Sequence, residues 1–149
     1  MEPGGALCHC GMRGCLEAYA GSYGIVRIAK ELLGRKRSLL RRLCPDLDGL
    51  EPRTVSLAAE KGDPVAQAVW REVGRYLGIG IANLVYVLNP DAVLILGGVS
   101  RAGDLILKPV VEFLRGRPFK TPFKHVDVRI GRTPNLGAAG AGLLGIDAA

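Results

Sequence analysis

The segment DAVLILGGVSRAGD, residues 91–104, decides the fold class of this chain. Its apolar run is rich in leucine and β-branched residues and ends at the paired glycines Gly97 and Gly98, a pattern typical of a strand buried on both faces. A helix is predicted to follow from Asp104 to Gly116. A strand that leads through glycines into a helix is the building unit of α/β folds with parallel neighbours.

The two glycines have two interpretations. Ligands bind at the carboxyl ends of parallel strands, where glycine lets a ligand approach the backbone and a helix N-terminus favours phosphate. Many turns of this kind carry paired glycines for conformational reasons alone. On this segment alone, Gly97 and Gly98 indicate either a ligand loop or a plain turn.

The strongest predicted helix lies directly before this segment. Asp63 is a good N-cap, Pro64 suits the first turn, and Asn89 with Pro90 ends the helix. Its second half, residues 77–88, is apolar nearly all round except at Asn83. We therefore expect that half to be buried on most sides as a central packing element.

The remaining segments complete an α/β order of helix, helix, helix, strand, helix, strand, helix. The predicted elements are a helix from Leu16 to Gly34, a basic and partly irregular stretch over residues 35–53, a short helix capped by Thr54 through Lys61, a strand over His125–Gly131 and a small-residue helix over residues 135–149. Two strands are too few for a stable sheet of this kind. Further strands must come from another chain, or the chain belongs to a larger fold.

Composition indicates a globular protein with a sizeable core, since 48% of its 149 residues are hydrophobic and 23% are charged. The sequence has neither a membrane-length apolar run nor a signal peptide, so we expect a cytosolic protein. The net charge of +6 lies largely in GRKRSLLRR, residues 34–42. This run could bind phosphate, but without interleaved aromatic residues a solvated face is favoured and nucleic-acid binding is not expected.

Three of the four cysteines lie within eight residues, in LCHCGMRGCLEAYAG, residues 7–21. The C-x-C-x4-C spacing of Cys8, Cys10 and Cys15 lets three thiolates converge on one tetrahedral zinc. Buried or free thiols are the alternative, and a disulfide is disfavoured in a reducing compartment. A fourth ligand is not obvious, because His9 lies between two ligands and His125 is distant in sequence. Glu17, in the first turn of the next helix, has a sufficient structural reason in the helix dipole.

Together these segments resemble the ROK family of repressors, open reading frames and kinases. CHCGMRGCLEAYAGS, residues 8–22, is similar to its C-x-C-G-x-x-G-C-x-E signature. NPDAVLILGGVSRAGD and TPNLGAAGAGLLG resemble its C-terminal stretches, which are shared with the wider actin, sugar-kinase and heat-shock ATPase superfamily. Where the family carries serine four residues after the signature glutamate, this chain has Gly21, and Ser22 follows.

The resemblance implies a ribonuclease-H-like α/β fold of the actin and hexokinase superfamily. It implies a structural Zn²⁺ held by three cysteines and one histidine, and transfer of phosphate from ATP with Mg²⁺ to a hydroxyl of glucose or a related hexose or amino sugar. The residues that it assigns are Cys8, Cys10 and Cys15 as zinc ligands, Glu17 as a sugar contact, Gly97, Gly98 and Ser100 as the nucleotide loop, and Gly137 in the closing helix nearby.

The sequence contains no match to the family's D-x-G-G-T phosphate loop or to its general-base aspartate. We therefore expect the C-terminal lobe of a ROK protein, inactive alone, with a cysteine loop over residues 1–15, a helical segment over 16–90 and a nucleotide-side segment over 91–149. Its partner would be an N-terminal lobe or a second copy in a homodimer. The sugar-sensing lobe of a repressor and a non-catalytic dimerising module are the alternatives.

Overall fold

The computed structural model describes residues 1–119, 121–131 and 136–147. Seven α-helices and two β-strands are described, joined in part by 3₁₀ turns. In chain order they are α1 (Glu17–Ala20), α2 (Ser22–Leu33), α3 (Leu40–Leu43), α4 (Pro52–Glu60), α5 (Pro64–Leu88), β1 (Ala92–Ile95), α6 (Asp104–Arg115), β2 (Asp127–Ile130) and α7 (Leu136–Asp147).

The central element is α5, and its two ends are those that the sequence predicts. The Asp63 carboxylate accepts a hydrogen bond from the Ala66 amide at 2.8 Å, which satisfies a free N–H group of the first turn. Its second oxygen accepts from the Leu39 amide at 2.6 Å. Asn89 ends the helix in the left-handed conformation with φ of 43°. Asp63 thus starts α5 and ties the segment before α3 to it.

The larger of the two hydrophobic clusters among the described residues surrounds α5 and extends along this helix to Val85. Trp70 and Val69 of α5 are buried there against side chains from the neighbouring helices, including Ile25, Leu40 and Ile106.

The close approach of helices α5 and α6 requires glycine. A Cβ atom at Gly74 would lie 2.5 Å from Cβ of Pro109, and one at Gly78 would lie 2.7 Å from Cδ1 of Phe113. These small residues let the two helix backbones pack more closely than larger side chains would allow.

The two strands pair in parallel, as the strand–helix–strand order predicts. Ala92 lies opposite Asp127 and Ile95 opposite Ile130. Helix α6 is the connection between the strands, which makes β1, α6 and β2 a single βαβ unit.

Two burial predictions are wrong. β1 was expected to be buried on both faces, yet Leu94 is 52% exposed. The second half of α5 was expected to be buried on most sides, yet Leu84, Val87 and Leu88 are exposed, Val87 by 80%. An apolar pattern indicates that a surface is more stable when it is buried, but it does not indicate that the same chain buries it.

Two helix boundaries also differ from the predictions. The helix expected from Leu16 to Gly34 is interrupted at Gly21, which is extended and separates α1 from α2. A Cβ atom at residue 21 would lie 2.6 Å from the Glu17 carbonyl oxygen, so the interruption requires glycine. Thr54 is not the cap of α4, because Glu51 occupies that position and Pro52 begins the helix.

The basic run predicted to be irregular contains the short helix α3, whose Leu40 is buried in the core, while its charged side chains remain on the surface. Arg35, Lys36 and Arg37 are exposed, and the Arg41 guanidinium donates to the carbonyl oxygens of Gly34 and Lys36. A long, apolar helix of the kind that crosses a bilayer is not found among residues 1–119, 121–131 and 136–147.

Candidate metal centre and ligand loop

The cysteine loop, residues 1–15, brings its three cysteines together. The sulfur atoms of Cys8, Cys10 and Cys15 all lie within 4.8 Å of one another, and those of Cys10 and Cys15 are 3.6 Å apart. The Cys8 amide donates to the Met12 carbonyl at 2.8 Å, which closes a tight turn over residues 8–12 around Cys10. The loop therefore presents three thiols at one point, as the spacing predicts.

One glycine is indispensable to the shape of this loop. Gly14 has φ of +74°, and a Cβ atom there would lie 1.8 Å from the Glu2 carbonyl oxygen. The Glu2 amide donates to the Gly14 carbonyl at 3.1 Å. The start of the chain therefore lies against the backbone next to Cys15, where a larger residue than glycine would collide with it.

The three thiols fit a zinc ion. Zinc–sulfur bonds of about 2.3 Å in a tetrahedral arrangement place neighbouring sulfur atoms about 3.8 Å apart, close to the separation of Cys10 and Cys15. His9 does not complete the set, because its ring stacks on Tyr23 with centroids 3.9 Å apart. His125 lies in the turn before β2. A zinc bound to the three cysteines would therefore take its fourth ligand from a group other than His9 and His125.

The surroundings of Cys8 and Cys15 shift the pKa values of these two thiols in opposite directions. The pKa of the Cys8 thiol is lowered, first by a hydrogen bond from the Cys10 backbone and then by the Tyr23 hydroxyl. The hydrogen bond between the Cys10 and Cys15 sulfurs raises the pKa of Cys15 to about 11. The hydrogen bond between Tyr23 and the Cys8 sulfur raises the pKa of Tyr23 to about 12. Because the thiolate is the metal-binding form of cysteine, a lowered pKa at Cys8 favours metal binding by this sulfur.

Two tyrosines hold the cysteine loop against the helices. Tyr23 donates its hydroxyl proton to the Cys8 sulfur at 3.2 Å, and the Tyr19 hydroxyl accepts from the Ala6 amide at 2.8 Å. The Tyr19 ring also stacks on Tyr76 of α5, with centroids 4.0 Å apart. Sequence reasoning counted Tyr19 and Tyr23 only as apolar helix positions. Their spacing of four residues, which would place both on one face of the predicted Leu16–Gly34 helix, was the available signal, although the break at Gly21 puts Tyr19 on α1 and Tyr23 on α2.

Glu17 lies beside the thiol cluster. It is the first residue of α1 and exposed, and its Oε2 accepts from the Cys8 thiol at 3.9 Å. A Cβ atom at Gly21 would lie 2.8 Å from the Glu17 Cγ, so the helix break also leaves room for this side chain. A carboxylate in the first turn is favourable for the helix dipole, but its contact places it at the edge of the thiol cluster.

The glycine loop, residues 96–103, follows the carboxyl end of β1. Gly97 has φ of +82°, and the Ser100 hydroxyl donates to its carbonyl at 2.7 Å. No described atom lies within 4 Å of where a Cβ atom would stand at Gly97, Gly98 or Gly103. Steric crowding therefore does not explain Gly97 and Gly98, although the positive φ explains Gly97. Gly137 is exposed in the first turn of α7, and its closeness to this loop remains a prediction.

The model of the ROK family matches residues 1–146 of the chain. The chain belongs to the ROK family. It is 38% identical to a glucokinase of Halalkalibacterium halodurans over 143 residues, which cover 95% of this chain and 43% of that protein. It is also 38% identical over 112 residues to the Escherichia coli DNA-binding transcriptional dual regulator NagC, covering 75% of this chain and 26% of the regulator.

Solved ROK structures share the fold. A ROK family glucokinase from Streptomyces griseus, solved with glucose and AMPPNP, has a TM-score of 0.76 at 36% identity and matches 87% of this chain and 43% of its own. A ROK transcriptional regulator homologous to E. coli MLC has the same TM-score at 27% identity, matching 91% of this chain and 34% of its own. The predicted family and α/β fold of the actin and hexokinase superfamily are confirmed. This ROK chain spans less than half the length of these relatives.

Proposed function

We propose that the chain is the C-terminal part of a ROK sugar kinase, which transfers phosphate from ATP to glucose or a related hexose or amino sugar. The observation that carries the proposal is the position of Glu17 Oε2, 3.9 Å from the Cys8 sulfur within the three-thiol cluster. The S. griseus relative was solved with glucose and AMPPNP, which supports a hexose and ATP as the substrates. The cysteine loop that holds the metal and the sugar contact Glu17 would then form a single site.

In this proposal Cys8, Cys10 and Cys15 hold a structural Zn²⁺. The zinc fixes the shape of the loop that leads into α1, and so fixes where the Glu17 carboxylate stands. A carboxylate accepts hydrogen bonds from sugar hydroxyls, and charge-assisted bonds of this kind are about twice as strong as neutral ones. Glu17 binds and orients the sugar and takes no part in proton transfer.

The glycine loop would take the adenosine side of ATP bound with Mg²⁺. The open space beside Gly97 and Gly98 lets a ligand reach the backbone, and the hydrogen bond of Ser100 to Gly97 holds the loop in shape. Gly137 in α7 would complete the nucleotide contacts. These are roles for binding and orientation, as expected at the carboxyl end of a strand in an α/β fold.

We propose that the chain alone does not phosphorylate a sugar. Phosphoryl transfer depends on a metal–phosphate clamp and a positioned nucleophile, and the family's phosphate loop and general-base aspartate have no counterpart in this sequence. An N-terminal lobe would supply both and cover Leu84, Val87 and Leu88, in a cytoplasmic assembly. A homodimer would cover the same surface. The cysteine loop would be residues 1–15, the helical segment residues 16–90 and the nucleotide side residues 91–149.

The proposal is tested by metal analysis and by reconstitution. Purified chain should contain one zinc per molecule, and should phosphorylate hexoses only when the N-terminal half of a ROK glucokinase is added. Glu17→Gln should raise KM for the sugar at least tenfold in the reconstituted enzyme. The matched control, Glu60→Gln at the exposed end of α4, should leave KM unchanged. Zinc-free folded protein would contradict the metal site, and activity of the chain alone would contradict the half-protein proposal.

The second candidate is the sugar-sensing lobe of a ROK repressor, favoured by the 38% identity to NagC. The sequence encoded upstream of Met1 separates the candidates. A phosphate loop without a DNA-binding segment favours the kinase, and a helix-turn-helix ahead of the lobe favours the repressor. Sugar binding measured by calorimetry separates both from a dimerising module, which we expect to form dimers on size-exclusion chromatography without binding sugar.

A further inference from the structure

The three ligand cysteines of the loop differ in their surroundings. Cys8 is 3% exposed and packs with Ala18 and Tyr19 in the smaller hydrophobic cluster. Cys10 is exposed and Cys15 is half-buried. Of the three sulfur atoms, the one that belongs to Cys8 is therefore the least accessible to water.

Tyr23 of α2 contacts that buried sulfur. Its hydroxyl donates to the Cys8 sulfur at 3.2 Å, and its ring stacks on the His9 ring, with centroids 3.9 Å apart. Because His9 lies between Cys8 and Cys10 in the chain, Tyr23 holds the loop both at a ligand atom and at the side chain next to it. Two residues further along α2, Ile25 is fully buried in the larger hydrophobic cluster. The hydroxyl is therefore carried by a helix that is fixed in the core.

We propose that Tyr23 is a positioning residue of the metal site, whose hydroxyl fixes the Cys8 sulfur as a ligand and strengthens zinc binding by the loop. The inference rests on the zinc site of the proposed function, and it adds a residue that lies outside the cysteine signature. Groups that hydrogen-bond to a metal ligand orient this ligand and tune its electron density, and their loss commonly weakens metal binding about 10- to 100-fold.

The chemistry of three thiolates explains why a donor is needed at this point. Their combined charge exceeds that of Zn²⁺, so the sulfur atoms keep negative charge that hydrogen-bond donors stabilise. A sulfur that gives one lone pair to zinc keeps others, which can still accept a hydrogen bond from Tyr23. Exposed Cys10 can accept such bonds from water, whereas water has little access to Cys8. Glu17 Oε2, 3.9 Å from the Cys8 sulfur, is an acceptor when ionised and cannot supply the proton.

Tyr23→Phe tests the hydroxyl alone, because the ring that stacks on His9 is kept. The purified chain is titrated with zinc in competition with a chromophoric chelator. We expect the variant to bind zinc about tenfold more weakly than the wild type, with an unchanged circular dichroism spectrum. Co²⁺ in place of zinc gives a second measurement. A sulfur that loses a hydrogen-bond donor releases charge to the metal at lower energy, so the sulfur-to-cobalt charge-transfer band should move to longer wavelength.

Tyr19→Phe is the matched control. It removes a hydroxyl that also holds the loop, but this hydroxyl accepts from the Ala6 amide at 2.8 Å and does not donate to the Cys8 sulfur. The cobalt band of this variant should therefore stay at its wild-type position.

An unchanged zinc affinity or an unchanged band position in Tyr23→Phe would overturn the positioning role. An equal band shift in Tyr19→Phe would overturn it as well, because general loosening of the loop would then be the cause. Wild-type chain that binds no zinc would contradict the metal site itself, which is a different result from zinc binding that Tyr23→Phe leaves unchanged.

Discussion

The two halves of α5 show how differently this chain treats similar side chains. Val69, near the start of the helix, is fully buried, while Val87, near its end, is 80% exposed. Around Val69 the helices α2, α4 and α6 close a core, whereas around Val87 and Leu94 of β1 apolar surface remains open. Among the described residues, the core around the first half of α5 is therefore closed, whereas the apolar surface near the sheet remains exposed.

The largest effect is expected where the core is complete. Trp70→Ala removes a buried indole ring from the centre of the helical core. It should lower the free energy of unfolding by about 3–5 kcal/mol, because deletion of a buried aromatic side chain leaves a cavity. Urea denaturation measures the loss. A cost below 1 kcal/mol would show that the core is loosely packed and that the contrast along α5 is smaller than described.

Asp63 tests whether the start of α5 also holds its neighbours. Asp63→Ala removes a cap and leaves the Leu39 amide without its partner, so the free energy of unfolding should fall by about 2–3 kcal/mol. Although burial alone would raise the pKa of this carboxyl, backbone N–H groups of Ala66 and Leu39 hold it below its usual range.

The pH dependence follows from that lowered pKa. The stability contributed by ionised Asp63 is fully present above the unfolded value of about 3.9 and is lost as pH falls through the lower folded value. Wild-type protein should therefore lose more stability than Asp63→Ala between pH 5 and the acid limit, as thermal unfolding at each pH would measure. Parallel pH curves for the two proteins would mean that the carboxylate contributes nothing through its charge.

A matched pair on one helix sharpens the comparison directly. Val69→Ala should cost about 2 kcal/mol, from lost burial and a residual cavity. Val87→Ala makes the same chemical change at an exposed position, and should alter the free energy of unfolding by less than about 0.5 kcal/mol. When an N-terminal lobe is added, Val87→Ala should weaken the association instead. Equal costs in the isolated chain would contradict the contrast between the two ends.

In the glycine loop a substitution is expected to affect ligand binding more than stability. Gly97 has φ of +82° and ψ of −163°, a conformation that side-chain-bearing residues avoid. Gly97→Ala should cost about 1 kcal/mol, because the loop is exposed and can relax. Its main effect should be a loss of AMPPNP affinity in the reconstituted protein, measured by calorimetry. The control is Gly49→Ala, at an exposed glycine with negative φ and open space around it.

Local signals in the sequence predicted much of this architecture. The ends of α5 were predicted from Asp63, Pro64 and Asn89. The thiol cluster was predicted from the cysteine spacing, and the glycine loop from the glycines after β1. These features depend on residues close together in the chain. The tyrosine contacts to the cysteine loop and the exposure of Val87 could not be predicted in this way, because each depends on what another segment places beside the residue. The break at Gly21 is local, since a Cβ atom there would meet the Glu17 carbonyl, but the helical periodicity did not reveal it.

The stacking of Tyr19 on Tyr76 has a consequence for the order of folding. The cysteine loop rests on Tyr19, and Tyr19 rests on a helix 57 positions further along the chain. Contacts between distant segments form only after the entropy of closing the intervening loop has been overcome. We therefore expect the cysteine loop, although it precedes α5 in the chain, to reach its final shape after α5 has docked, so that the thiols meet on a surface that the later part of the chain provides.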